Sequence, residues 1–221
     1  MNRSATLQVF VYGTLKRGGA NFASYCHGAL DVRPARVWGR LYALSAGYPM
    51  LAVPTESVLA TGTSDPAHDL ARLHALGASL SPEPPQFCAQ VGHRAQIDAP
   101  RPANRRRTAS PANWHAAQPA GDTRSHAGEW HWVSGELLSF GDCQPRLAAL
   151  DELEDFRPGA AGYYDRVLVR VALTTTAEPT AVAAWTYVAP LGRVPPDARW
   201  LADGCWQEEV PSDVAYPKDR R

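Results

Sequence analysis

The sequence predicts an α+β domain built on a curved mixed sheet or small barrel, broken by one long irregular insertion. Three observations carry this expectation. Short apolar runs rich in β-branched and aromatic residues recur on both sides of a Pro- and Arg-rich stretch, so strands before and after it belong to one domain. One amphipathic helix lies between two of the later strands, the mark of an α+β arrangement. Wrapping such a sheet packs its aromatic strands together and hides their edges.

The first strand is "LQVFVY" (7–12), stopped by Gly13. "VWGRLYALSAGYPML" (37–51) reads as a second strand followed by a Gly-Tyr-Pro turn. Residues 54–128 differ: "SPEPPQ", "DAPRPANRRRTASPAN" and "QPAGDTRSHAGE" hold little hydrophobic periodicity and read as a poorly ordered insertion within a single domain over 1–221. One piece, "DPAHDLARLHALG" (65–77), carries helix signals, with Asp65 as N-cap, Pro66 in the first turn and Gly77 after the end.

The pattern resumes with "WHWVSGELLSF" (130–140), a strand whose internal Gly135 suggests a bulge or a close backbone approach. "QPRLAALDELEDF" (144–156) is a helix with Leu147, Leu150 and Leu153 as its apolar stripe. "YYDRVLVRVAL" (163–173) is a strand with Val167, Val169 and Val171 on one face and Arg166 and Arg170 on the other. "AVAAWTYVA" (181–189) is a further strand, and "ARWLADGCWQEEV" (198–210) a short helix ending at Gly204.

Bulk properties exclude several classes. The 221 residues carry a formal net charge of zero, so no global attraction to nucleic acid or a membrane surface is expected. No apolar run is long enough to span a bilayer, and the N-terminal run is too short for a secretion signal. Cys26, Cys88, Cys143 and Cys205 are scattered, with no CxxC pair, which fits a reducing, cytoplasmic setting and leaves disulfides open. No HExxH occurs, and no metal is expected. Ser134 and Ser139 lack a nucleophile-elbow pattern, and "RRRTAS" (105–110) reads as a solvated run, with a partner-binding arm as the alternative.

Two features point to a site. After Tyr12, the run Gly13-Thr14-Leu15 leaves the strand; a positive φ at Gly13 would let successive N–H groups converge on an anion, with Lys16 and Arg17 nearby. The alternative is a plain turn with two solvated cations. Neither a Walker loop nor a dinucleotide fingerprint is present. The second feature is a carboxylate on the apolar side of the helix. At about 100° per residue, with Leu147 as origin, Leu150 falls at roughly 300°, Leu153 at roughly 240° and Glu154 at roughly 340°. Asp151 lies at the edge of that arc and Glu152 opposite it. A carboxyl facing the core without a partner has a raised pKa, as a general base near neutrality requires. Alternatively, Glu154 turns to solvent or pairs with Arg157 or Arg166. Tyr163, Tyr164 and Tyr187 are strand aromatics, some of which can reach a site.

Taken together, these segments resemble the γ-glutamylcyclotransferase-like family, which includes γ-glutamylamine cyclotransferases and plant avirulence-induced proteins. "VYGTLKRGGAN" is similar to its opening motif, "LYALSAGYPML" to its second segment and "VSGELLSF" to its Val-x-Gly-Glu strand. "LAALDELEDF…YYDRVLVRV" resembles its Leu-Asp-x-x-Glu-Gly helix and following strand, "AWTYV" its penultimate strand and "LADGCW" its ending. The resemblance covers roughly 7–53 and 129–207. It implies a small barrel with flanking helices, no cofactor, Glu154 as general base and acid, and a Tyr12–Leu15 loop that holds the glutamyl group through its backbone. The implied substrate is a small γ-glutamyl compound, cyclised to 5-oxoproline, with backbone N–H groups or one of Tyr163, Tyr164 and Tyr187 as candidate oxyanion donors. The rival is a non-catalytic module that uses the same barrel to bind a small acid or a protein. Three departures stand out: Asp155 where the family has Gly, Cys205 where it has Asp, and the insertion. Oligomeric state and the leaving amine are left open.

Overall fold

The computed structural model describes residues 6–80, 130–159, 162–175 and 180–207. Five strands close on themselves. β2 (Asp31–Ala43) pairs with β5 (His131–Phe140), β5 with β1 (Leu7–Val11), β1 with β7 (Thr180–Val188), β7 with β6 (Asp165–Leu173), and β6 again with β2. The β1–β7 pairing is parallel and the others antiparallel, so the barrel is mixed, as the sequence predicts. β3 (Pro49–Ala52) and the short β8 (Arg199–Trp200) extend the second half of β2, and β4 (Val58–Thr61) lies against β6.

Alternation along the strands produces two apolar layers. Phe10, Val37, Leu137, Val169 and Ala184, one from each barrel strand, fill the interior. The opposite faces, with Val9, Leu138, Leu168 and Trp185, pack under the helices α2 (Pro66–Ser79) and α3 (Cys143–Leu153), whose Leu70, Leu73, Leu147 and Leu150 close the outer layer. A short α1 (Phe22–Tyr25) follows the β1 loop and is tied to α3, where Arg146 donates to the Tyr25 and His27 carbonyls. Gly135 is required by a close approach: a Cβ there would meet the Val11 carbonyl oxygen at 2.3 Å.

Three expectations change. Residues assigned to the insertion from 54 onward are part of the domain up to 80. β4 pairs with β6, and α2 is capped by Asp65, whose carboxylate accepts from the N–H groups of Ala67 and His68. Gly77 lies inside that helix. The rest of the insertion, with Cys88 and the "RRRTAS" run, lies outside the described residues. The tail from Ala198 is extended: Trp200 pairs with Tyr42, the Leu201 N–H donates to the Leu41 carbonyl, and Gly204 at φ +64° forms a turn. Strand pairing and the burial of Leu201 and Trp206 outweigh its helical tendency. Arg166, on the face opposite the valines, is fully buried, because α2 and α3 cover that face of β6.

Candidate active site

The loop after β1 is shaped by close packing. Gly13 is not in the left-handed region; a Cβ there would stand 2.6 Å from Pro49 Cγ, so glycine is needed for the approach of β3 rather than for a positive φ. The chain then turns, with the Lys16 N–H donating to the Gly13 carbonyl at 3.0 Å. Asn21 clamps the loop: its backbone N–H donates to the Thr14 carbonyl and its side-chain amide to Thr14 Oγ1, both at 3.0 Å. Among the described residues, nothing accepts from the N–H groups of Gly13, Thr14 and Leu15. The two cations are engaged elsewhere. Lys16 Nζ donates to the Trp206 carbonyl at 2.6 Å, and Arg17 forms an ion pair with Glu136 at 2.9 Å. Of the loop's donors, therefore, the backbone and not the cations is available to an anion.

The C-terminus of α3 sets the carboxyl. The Phe156 N–H donates to the Asp151 carbonyl (2.9 Å) and the Asp155 N–H to the Glu152 carbonyl (3.3 Å), which together make a Schellman motif. Its left-handed position falls on Asp155, at φ +49°. Glycine is the usual occupant, and Asp is among the few other residues that tolerate it. Glu154 is the C-cap, so its position is fixed by the hydrogen bonds that end the helix. Arg157 is paired with Asp155 at 2.7 Å and Arg166 with Asp69 and Asp151, which removes both partners considered for Glu154. Among the described residues, no side chain pairs with the Glu154 carboxyl. Burial alone raises its pKa from 4.5 to about 7.

Beneath it lies an ionic cluster that sequence reasoning missed. The Arg166 guanidinium donates to Asp69 from α2, to Asp151 from α3 and to the Thr63 carbonyl, and Phe156 and Trp185 stack on it. Tyr187 Oη donates to Asp151 at 2.8 Å. Burial raises the Asp151 pKa; Arg166 and the Tyr187 hydrogen bond oppose it. The cluster binds both helices to the barrel one turn below Glu154. The sequence signals were Asp151 at the edge of the apolar arc and the Arg166 and Arg170 face of a Val-rich strand, and neither names its partner.

All the predicted site residues meet at one cavity of about 420 Å³, within the usual range for small-molecule sites. Tyr12, Gly13, Thr14 and Leu15 line one side, and Glu154, Tyr163, Tyr164 and Tyr187 the others. Two hydroxyls are structural: Tyr12 donates to the Tyr187 carbonyl at 2.8 Å, and Tyr164 to the Pro49 carbonyl at 3.1 Å. Tyr48, which follows Gly47 in the turn between β2 and β3, also lines the cavity and was not singled out, since nothing local distinguishes it from a packing tyrosine. No cationic side chain among the described residues lines the cavity. Among the described residues, no group of His, Cys, Asp and Glu is arranged to hold a metal, and Cys26, Cys143 and Cys205 form no disulfide with one another. No helix among the described residues is long and apolar enough to cross a membrane.

A family model described as "Gamma-glutamyl cyclotransferase, AIG2-like" matches residues 9–130 and 115–208. No curated protein matches. Among solved structures, the chain is similar to an AIG2-like protein from Mus musculus, at 16% identity over 98% of this chain and 99% of that one, with a TM-score of 0.44.

Proposed function

Since the chain belongs to the gamma-glutamyl cyclotransferase, AIG2-like family, which implies cyclotransferase-type activity, we propose that it cyclises a γ-glutamyl amide to 5-oxoproline and releases a free amine or amino acid. One observation carries this reading. An unpaired carboxyl held near neutrality faces the same cavity as three consecutive unengaged backbone N–H groups.

In this reading the substrate α-carboxylate docks on the N–H groups of Gly13, Thr14 and Leu15. Glu154 takes a proton from the α-ammonium. The freed amine attacks the γ-carbonyl carbon, forming the C–N bond of a five-membered ring. As the tetrahedral intermediate collapses, the bond to the leaving nitrogen breaks and Glu154 gives its proton there, while the second proton on the ring nitrogen passes through the freed Glu154 carboxylate to the released amine, which departs as an ammonium. A carboxyl with a pKa of about 7 is suited to both transfers. Attack is intramolecular, so holding the glutamyl chain folded supplies much of the acceleration, on the order of 7–11 kcal/mol in well-oriented systems.

The test is incubation with a panel of γ-glutamyl peptides and γ-glutamyl amines, with 5-oxoproline as the readout. Release by the parent and its loss in Glu154→Gln are expected. A folded parent that releases none across the panel sinks the reading and favours a binding module.

A further inference from the structure

The cavity tyrosines can be accounted for proton by proton. Tyr12 donates to the Tyr187 carbonyl, Tyr187 to Asp151 and Tyr164 to the Pro49 carbonyl, so these three hydroxyl protons are engaged inside the protein. Tyr48 and Tyr163 remain, and a single hydrogen bond of 3.0 Å joins their oxygens. Two phenols carry two donor protons, and one shared bond uses one of them. Whichever oxygen donates, a phenolic proton is left at the cavity wall with no acceptor among the described residues.

The surroundings favour using it. The Tyr48 and Tyr163 rings meet edge to face at 6.2 Å, and Tyr163 leans on Tyr164 at 5.3 Å, so the pair is held by ring contacts as well as by its hydrogen bond. The bond to Tyr163, then burial, then the nearby Tyr163 and Glu154 push the Tyr48 phenol up to about 12, and it stays protonated at any working pH. Glu154 is therefore close enough to be felt by Tyr48. The other side-chain donors on the wall, Thr14 and Asn21, belong to the loop assigned to the α-carboxylate. The γ-carbonyl lies at the opposite end of the glutamyl chain, and there the negative charge develops.

We propose that the Tyr48–Tyr163 pair is the oxyanion donor, giving its spare hydroxyl to the γ-carbonyl oxygen as the tetrahedral intermediate forms. This rests on the cyclotransferase reading of the cavity. The phenol donates a hydrogen bond and keeps its proton throughout, so the proton balance stays with Glu154. The hydrogen bond between the two hydroxyls polarises the one that donates outward.

The experiment compares the parent, the double variant Tyr48→Phe/Tyr163→Phe and Glu154→Gln on the γ-glutamyl panel. Phenylalanine keeps the rings and their contacts, and near-ultraviolet circular dichroism checks that the fold is kept. The expected result is a fall in kcat of roughly 10²- to 10³-fold in the double variant, with KM and the Glu154 limb of the pH–rate profile retained. An unchanged kcat, or a change in KM alone, overturns the assignment, since the rings would then only cradle the leaving group. A parent that releases no 5-oxoproline overturns the cyclotransferase reading and this assignment together. An active parent silenced by Glu154→Gln but indifferent to the tyrosine changes overturns this assignment alone.

Discussion

Glu154→Gln tests the physical state of the site without any substrate. The carboxyl has no partner among the described residues, and burial raises its pKa from 4.5 to about 7. Below about 4.5 the group is protonated in both folded and unfolded chains. Between 4.5 and about 7 the folded chain keeps the proton that the unfolded chain releases, so stability falls as pH rises. Above about 7 both are ionised and the whole cost of holding a buried carboxylate is present. At 1.36 kcal/mol per pH unit, the interval from 4.5 to about 7 amounts to about 3 kcal/mol. Glutamine has the same shape and no charge. The variant should therefore gain on the parent as pH rises, by up to about 3 kcal/mol between pH 4.5 and 8. With a urea m-value of about 2 kcal/mol/M, the gap appears as a difference of about 1.5 M in unfolding midpoint. Other titrating groups, Asp151 among them, are common to both proteins and cancel. Equilibrium urea unfolding at four pH values decides it. A gap that stays flat, or one in which the parent gains as pH rises, would refute the reasoning, because a carboxylate paired in the fold shows the opposite slope. Turnover should fall by about 10²–10⁴-fold in the same variant.

Further expectations concern the frame. Asp69→Ala removes the fully buried acceptor of the Arg166 guanidinium and leaves Asp151 and the Thr63 carbonyl as its partners, so urea unfolding should show a loss of about 1–3 kcal/mol. Gly13→Ala drives a Cβ to 2.6 Å from Pro49 and displaces the loop proposed to dock the α-carboxylate, so on that reading KM for γ-glutamyl substrates should rise, with a stability loss of about 1–3 kcal/mol by thermal unfolding. Asp155→Gly should unfold no more easily than the parent and keep its turnover, whereas Asp155→Val, strained at φ +49°, should be less stable than the glycine variant by about 1–2 kcal/mol. If Glu154 is the base as proposed, kcat/KM of the parent should rise with pH to a plateau above about 7, as its carboxyl ionises.

The Asp155 departure from the family pattern has a local explanation. The helix must end in a left-handed residue to set Glu154, and Asp can adopt that conformation where most residues cannot. Lys16 and Arg17 show the converse. Their charges suggested an anion site, but Trp206 and Glu136 take them up, and the backbone donors are the ones that remain.

Much of the candidate site was legible in the chain because its signals are local. Tyr12-Gly13-Thr14-Leu15 ends a strand, and the 3.6-residue period alone separates Glu154 from Glu152. Barrel strands were likewise visible through composition and alternation. What is set by contacts between distant segments was not. The reason for Gly13 is Pro49, the burial of Arg166 depends on two helices laid over its strand, and the spare proton of Tyr48 and Tyr163 exists only because a β2–β3 turn meets the segment before β6. Periodicity states which face a residue takes, but only the folded chain states what stands opposite it.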